Sequence, residues 1–323
     1  MKKVLLTGAA GFIGSRTSQL LLDAQVEVVG VDNLDPYYDV QLKRRRLEEL
    51  VAQKSFKFLE GDIEDKEFVN SIPLDDDVDT IINLAARAGV RNSIRFPNEY
   101  FSTNVLGALN LLELAKTRGV SRFVLASTSS VYAGHSGPFV ESLSADNPLS
   151  PYAASKRSAE LLAHSYHYLH GIHVAALRYF TVYGPSGRPD MAILRFIKRI
   201  YEGETIEVFG DGNHSRDFTF VDDIARGTIA ATGIQGYEVV NLGNGSTPVS
   251  LNQVVAIIER LIGREARVQT SPPMESDMLS TFACIEKARK LMNWEPTVGI
   301  EEGVARTLEW YRKERSWAKD LQI

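Results

Sequence analysis

The chain has 323 residues, 44% hydrophobic and 24% charged, with a net charge of −5, which is enough to bury a substantial core in one large domain or two. With no basic excess to displace counterions, nucleic acid is excluded as an expected partner. A lone cysteine, Cys284, excludes an internal disulfide framework and fits a reducing compartment. The opening Met1-Lys2-Lys3-Val4-Leu5-Leu6 imitates a signal peptide, but Thr7-Gly8 breaks the apolar run early. No run elsewhere could span a bilayer, so the expected location is the cytoplasm, away from membrane.

Lys3 to Thr7 reads as a strand, Gly8-Ala9-Ala10-Gly11-Phe12-Ile13-Gly14 as a tight turn and Ser15 to Asp23 as a helix. This order presents backbone N–H groups at a helix N-terminus, where a pyrophosphate binds. A second strand, Glu27 to Val31, ends in Asp32, eighteen residues after Gly14. A carboxylate there accepts from both ribose hydroxyls of adenosine and repels a 2′-phosphate, which favours NAD over NADP. The segment Asn33-Leu34-Asp35-Pro36-Tyr37-Tyr38-Asp39 then leads into Leu42-Lys43-Arg44-Arg45-Arg46-Leu47. The physical reading of that basic run is a solvated helix face, with binding of an acidic group as the alternative. Phe56 to Glu60 is a third strand, followed by Gly61-Asp62-Ile63. Asp79 to Leu84 is a fourth, and the small Ala85 and Ala86 after it let a cofactor lie close to the backbone. Pro97 to Lys116 has helical period and carries Asn104.

Arg122-Phe123-Val124-Leu125 is a short apolar strand running into Ala126-Ser127-Thr128-Ser129-Ser130-Val131-Tyr132. After a polar loop comes Ser150-Pro151-Tyr152-Ala153-Ala154-Ser155-Lys156, where Pro151 suits a first helical turn. Tyr152 and Lys156, four apart, share one helix face. Free tyrosine titrates near ~10, and a neighbouring ammonium favours its phenolate. A hydroxyl at the facing strand end can then bind the substrate oxygen whose proton Tyr152 removes. The helix should stop at Gly171, and His173 to Arg178 is a further strand. Six strand-helix alternations imply an α/β fold with a doubly wound parallel (Rossmann) sheet over residues 1–180. His164, His167, His170 and His173 drift around a helix without a carboxylate or thiol partner, so no metal is expected. Beyond Arg178 shorter elements suggest a smaller α/β substrate domain, 181–323. Val239 to Gly243 and the amphipathic Leu251 to Ile262 read as a strand and helix returning to the first domain.

With Thr128, Tyr152 and Lys156 on its catalytic positions, the chain resembles the extended short-chain dehydrogenase/reductases. Among their nucleotide-sugar members it is similar to UDP-glucuronate 4-epimerases, through Tyr37-Tyr38-Asp39, the Leu-Lys-Arg run, Ala88-Gly89-Val90-Arg91 and Tyr179-Phe180-Thr181-Val182-Tyr183-Gly184-Pro185. Gly187-Arg188-Pro189-Asp190-Met191-Ala192 adds to that likeness. The resemblance implies NAD held by Gly8, Gly11, Phe12, Ile13, Gly14, Asp32, Asn33, Asp62, Ile63, Leu84, Ala85, Ala86, Asn104, Tyr152, Lys156 and Tyr179. Asn104 would brace the catalytic segment, a local cap being the other reading. It further implies a UDP-sugar substrate held by Arg91, Ser129, Ser130, Thr181 and Arg188, with Phe209 against uracil, Arg216 on the diphosphate and Asp277 on the ribose. A homodimer through the helices bearing Asn104 and Tyr152 follows from the same likeness. Arg87 for a usual Gln, Ser186 for Trp and Ala283-Cys284 for Ala-Asp are departures from it. The expected reaction is oxidation at C4, rotation of the 4-keto sugar and reduction on the opposite face. Among the alternatives, a 4,6-dehydratase would carry Asp-Glu at 129 and 130, and UDP-glucose epimerases and UDP-glucuronate decarboxylases carry Asn at 181. UDP-glucose or UDP-N-acetylglucosamine as the substrate is the runner-up. The complete Thr, Tyr and Lys set argues against a silent NAD-binding sensor.

Overall fold

The computed structural model describes residues 1–272 and 278–322. Its first half alternates β1 (Lys3–Thr7), α1 (Phe12–Asp23), β2 (Glu27–Asp32), α2 (Val40–Val51), β3 (Phe56–Glu60), α3 (Lys66–Ser71) and β4 (Val78–Asn83). Then come α4 (Val90–Arg95), α5 (Pro97–Phe101), α6 (Gly107–Arg118), β5 (Arg122–Thr128), α7 (Pro151–His170) and β6 (His173–Tyr179). The second half holds β7 (Thr181–Tyr183), α8 (Ala192–Glu202), β8 (Thr205–Phe209), β9 (Ser215–Arg216), β10 (Phe218–Phe220), α9 (Val221–Ala230) and β11 (Tyr237–Leu242). It closes with β12 (Val249–Ser250), α10 (Leu251–Ile262), β13 (Arg267–Ser271), α11 (Glu286–Met292) and α12 (Ile300–Ala318).

Seven parallel strands form one sheet in the order β11-β6-β5-β4-β1-β2-β3. Alternate residues feed two cores. Val4 and Leu6 join Leu21, Leu47 and Ile224 on one face, while Leu5 joins Val69, Leu111, Ala159 and Ala163 on the other. Burial on both faces is why these strands read as continuous apolar runs. The chain reaches β3 at one edge and returns to β4 beyond β1, so strand order reverses between β1 and β4. A ligand crevice opens there, at the carboxyl ends of the strands.

The return strand is β11, with Tyr237 opposite Val174 of β6. The helix after it does not return with it. Val254, Val255 and Ile258 of α10 instead complete a third core with Ile193, Phe196 and Ile197 of α8 and Val304 and Leu308 of α12. The expected single helix from Pro97 to Lys116 is also interrupted, by a π-turn over Ser102–Leu106 that holds Asn104. Such wide turns collect at functional sites. Among the described residues, no helix is long and apolar enough to cross a membrane and no group of three His, Cys, Asp or Glu side chains could hold a metal.

Candidate active site

At the end of β1 the Thr7 hydroxyl donates to Asn83 Oδ1 at 2.8 Å, tying β1 to β4. The chain then turns through Gly8 at φ 73°. A Cβ on Gly14 would lie 2.0 Å from the Gly8 oxygen, and one on Gly8 2.7 Å from the Ala85 nitrogen. The turn therefore requires glycine at both positions. No side chain caps the first turn of α1, whose N–H groups are left for an anion. Asp32, 7% exposed, accepts from the backbone N–H of Ala10 at 3.0 Å and of Leu34 at 2.8 Å. This cradle fits the pyrophosphate and adenosine ribose of NAD. The Leu84 and Ala85 backbone lies directly against Gly8, Ala86 is half-buried beside it, and Asn33 donates to Asp62 at 2.8 Å. Phe12 and Ile63 are buried, Ile13 packs against the core, and the Tyr179 hydroxyl is engaged by Thr228 at 2.8 Å. Any cofactor contact from Tyr179 must come from another of its atoms.

Thr128 ends β5 in extended conformation and accepts from the Ser130 N–H at 3.1 Å, starting a tight turn that holds Ser129 and Ser130 at the strand tip. Its hydroxyl also faces Ser130 Oγ at 3.2 Å. Opposite, Ser150 caps α7 and Pro151 fills its first turn, which delivers Tyr152 to the same place. Burial raises the Tyr152 phenol, while a hydrogen bond with Thr128 and the charge of Arg188 oppose that shift. Lys156 is buried, which lowers its ammonium to about 7, and it donates to the Ala126 carbonyl at 2.8 Å. Lys156 thus holds the strand, and the cation acting on Tyr152 is Arg188. Asn104 donates to Ser155 Oγ at 2.9 Å and to the Arg87 carbonyl at 3.0 Å, and accepts from the Arg87 N–H at 2.9 Å. That pattern links α7 to the segment after β4.

Tyr100 and the contacts around this cluster escaped the sequence reading. The Tyr100 ring meets Tyr152 edge-on at 6.1 Å, and the Arg188 guanidinium lies 5.2 Å from the Tyr37 ring centre. Arg188 also makes two bonds to Asp190, at 3.0 and 2.6 Å. The basic run is not a uniformly solvated face. Arg44 and Arg45 are exposed, but Lys43 is buried 3.7 Å from Asp32, and Arg46 is buried with bonds to Tyr38, Ala10 and Ser186. The Ser186 carbonyl is presented to Arg46 by a left-handed backbone, φ 56°. The Tyr-Tyr-Asp and Leu-Lys-Arg signature therefore welds α2 to the glycine turn and to the Arg188 loop.

At the far end the Arg91 guanidinium stacks 4.3 Å from the Phe209 ring centre, and Arg216 donates to the Ser215 carbonyl at 2.9 Å. Arg195, also missed, has a buried Nε with no hydrogen-bond partner among the described residues. Burial and the like charges of Arg199 and Arg91 push it below its usual range. Thr181 pairs with Phe218 at the start of β7. Asp277 lies outside the described residues. An aromatic face and several guanidinium groups suit a base and its phosphates.

Residues 4–243 match the NAD dependent epimerase/dehydratase family, and the chain belongs to it. Among its relatives is a UDP-glucuronate 4-epimerase of Thermodesulfobacterium geofontis, 51% identical over 99% of both chains. The crystal structure of UDP-glucuronic acid 4-epimerase from Bacillus cereus in complex with UDP-glucuronic acid and NAD superimposes with a TM-score of 0.89, at 36% identity over 97% of this chain and 99% of that one. UDP-glucose 4-epimerase from Thermotoga maritima is more distant in sequence, 31% identical with a TM-score of 0.87 over 97% of this chain and 99% of that one.

Proposed function

We propose that the chain is an NAD-dependent 4-epimerase that interconverts UDP-glucuronate and UDP-galacturonate through a 4-keto sugar. NAD, when bound, accepts the C4 hydride and returns it to the other face. Tyr152 removes the proton of the 4-hydroxyl and later gives it back, while Thr128 holds the reacting oxygen. Burial alone would keep the phenol protonated, so positive charge must favour its ionised form, and Arg188 supplies it. Residues 1–180 with the return strand hold the cofactor, and 181–323 hold the nucleotide sugar. Arg91 and Phe209 take the base, Arg216 and Arg195 the diphosphate, and Asp277 the ribose.

Oxidation at C4 of a glucuronyl group creates a β-keto acid, which loses carbon dioxide when the C–CO₂ bond aligns with the carbonyl π system. An epimerase must hold the carboxylate out of that alignment. Ser129, Ser130 and Thr181 are neutral donors that bind a carboxylate without repelling it. The observation that carries the reading is Arg188, a cation whose charge acts on Tyr152 and whose guanidinium lies 5.2 Å from the Tyr37 ring centre, on the catalytic side of the groove. Purified protein, given UDP-glucuronate, UDP-glucose or UDP-N-acetylglucosamine without added NAD, is expected to turn UDP-glucuronate into UDP-galacturonate with little pentose. Arg188→Ala or Thr181→Ala should raise the pentose fraction and slow epimerisation. Chromatographic separation of products decides it, and a preference for UDP-glucose would overturn the carboxylate site. We place the enzyme in the cytoplasm as a homodimer. Exposed apolar side chains on α7 and on the segment before α6 support the pairing.

A further inference from the structure

In the sheet, β1 lies between β4 and β2, so the loops leaving β4 and β2 stand on either side of the glycine turn. Those two loops touch. Arg87, from the β4 loop, donates to Asp35 Oδ2 of the β2 loop at 2.7 Å, and its other terminal nitrogen lies 3.0 Å from Glu99 of α5. Both Arg87 and Asp35 are about three-quarters buried at the side chain, 24% and 26% exposed. Each end is also fixed at the backbone. Arg87 is held by Asn104, and the β2 loop is stapled by a ladder in which Asp32, Asn33 and Asp35 each accept from a backbone N–H two residues on, at 2.8, 3.0 and 2.9 Å.

A second contact crosses the same gap. The Tyr37 hydroxyl stands 2.8 Å from where a Cβ on Gly89 would be, and Gly89 has φ 114°, so glycine alone admits the phenol there. The β2 loop starts at the ribose carboxylate, Asp32, and its Tyr37 end reaches the Tyr100 and Arg188 side of the catalytic cluster. It therefore runs the length of the dinucleotide groove.

We infer that Arg87 and Asp35 form a strap across the dinucleotide groove that must open before NAD can leave, making Arg87 a positioning residue for cofactor retention. This rests on the NAD-binding reading of the groove. An epimerase returns the hydride it removes, so it has no need to exchange cofactor between turnovers, and a closed strap costs it nothing in the cycle. The ion pair is charge-assisted and only partly screened, which sets its effect near a factor of ten.

The test starts from enzyme carrying labelled NAD, diluted into excess unlabelled NAD, with loss of label followed in time. Arg87→Gln and Asp35→Asn are each expected to release NAD roughly tenfold faster than wild type, and the double variant no faster than either, because one contact is lost in all three. Thermal midpoints are recorded alongside. Release rates within twofold of wild type in both single variants overturn the strap, as does a double variant that multiplies the two effects. A lowered midpoint with unchanged release also overturns it, by assigning the pair a structural role only. Wild-type protein that holds no NAD at all overturns the strap and the cofactor reading together, whereas normal NAD content with unaltered release overturns the strap alone.

Discussion

At Tyr152 the environment opposes the task. The phenol is raised by burial, and its hydrogen bond with Thr128 and the charge of Arg188 only partly offset that. Tyr152→Phe deletes the proton carrier and almost no volume, so it should retain NAD and UDP-sugar while losing ~10²- to 10⁴-fold in turnover, the usual worth of positioned acid-base chemistry. Steady-state kinetics with a parallel binding titration checks this, and near-normal turnover would assign the base elsewhere. Thr128→Val should lose less, since one bond to the reacting oxygen goes while the base stays. Tyr152 and Lys156 could be read from the sequence because their spacing on one helix is local information. Tyr100 and Arg195 could not, and although Tyr37, Lys43 and Arg46 belong to runs the likeness marks, what they touch could not be read. Arg46 meets Ser186 across 140 positions, and no period or spacing announces such a meeting.

Elements show the same division. The sheet strands were legible because burial on both faces writes itself as apolar runs, and α7 because Ser150, Pro151 and Gly171 mark both its ends. The placement of α10 was not, since an amphipathic stripe does not say which core it completes. What joins α7 to β5 and β6 was equally hidden. Glu160, fully buried on α7, accepts from Ser127 of β5 and takes two bonds from Arg178 of β6, at 2.9 and 2.8 Å. The Arg178 guanidinium also lies 4.7 Å from the Tyr132 ring centre. Replacing one partner strands the other charge in the interior, which costs about 3–5 kcal/mol. Glu160→Gln should therefore lower stability by that order in urea unfolding, and Glu160→Gln with Arg178→Met should recover part of the loss. A single variant within about 1 kcal/mol of wild type would mean that water reaches Arg178 and that the pair does not lock α7 to the sheet.

At the scale of the whole molecule, the helices that carry the site leave apolar surface uncovered. Leu161, Tyr168 and Leu169 of α7 are 53%, 82% and 66% exposed, and their spacing keeps them on one side of the helix. Phe101, which ends α5, and Leu106, the last residue of the π-turn that holds Asn104, are 41% and 45% exposed. A two-fold pairing of α6 and α7 with their copies would cover both patches, each residue counting twice because the contact is self-complementary. Burying one leucine side chain is worth about 1.5–3 kcal/mol, so a charge at such a position, present in two copies, should weaken the dimer by at least about a hundredfold. The expected result is twice the chain mass in sedimentation equilibrium at micromolar concentration for wild type, and the chain mass for Leu161→Asp with Leu169→Asp. Because Tyr152 stands in the first turn of α7 and Asn104 just before α6, the monomeric variant should also turn over more slowly than the wild-type dimer, by an amount that does not change on dilution, while a wild type that sediments as a monomer would remove the interface and leave these side chains as ordinary surface.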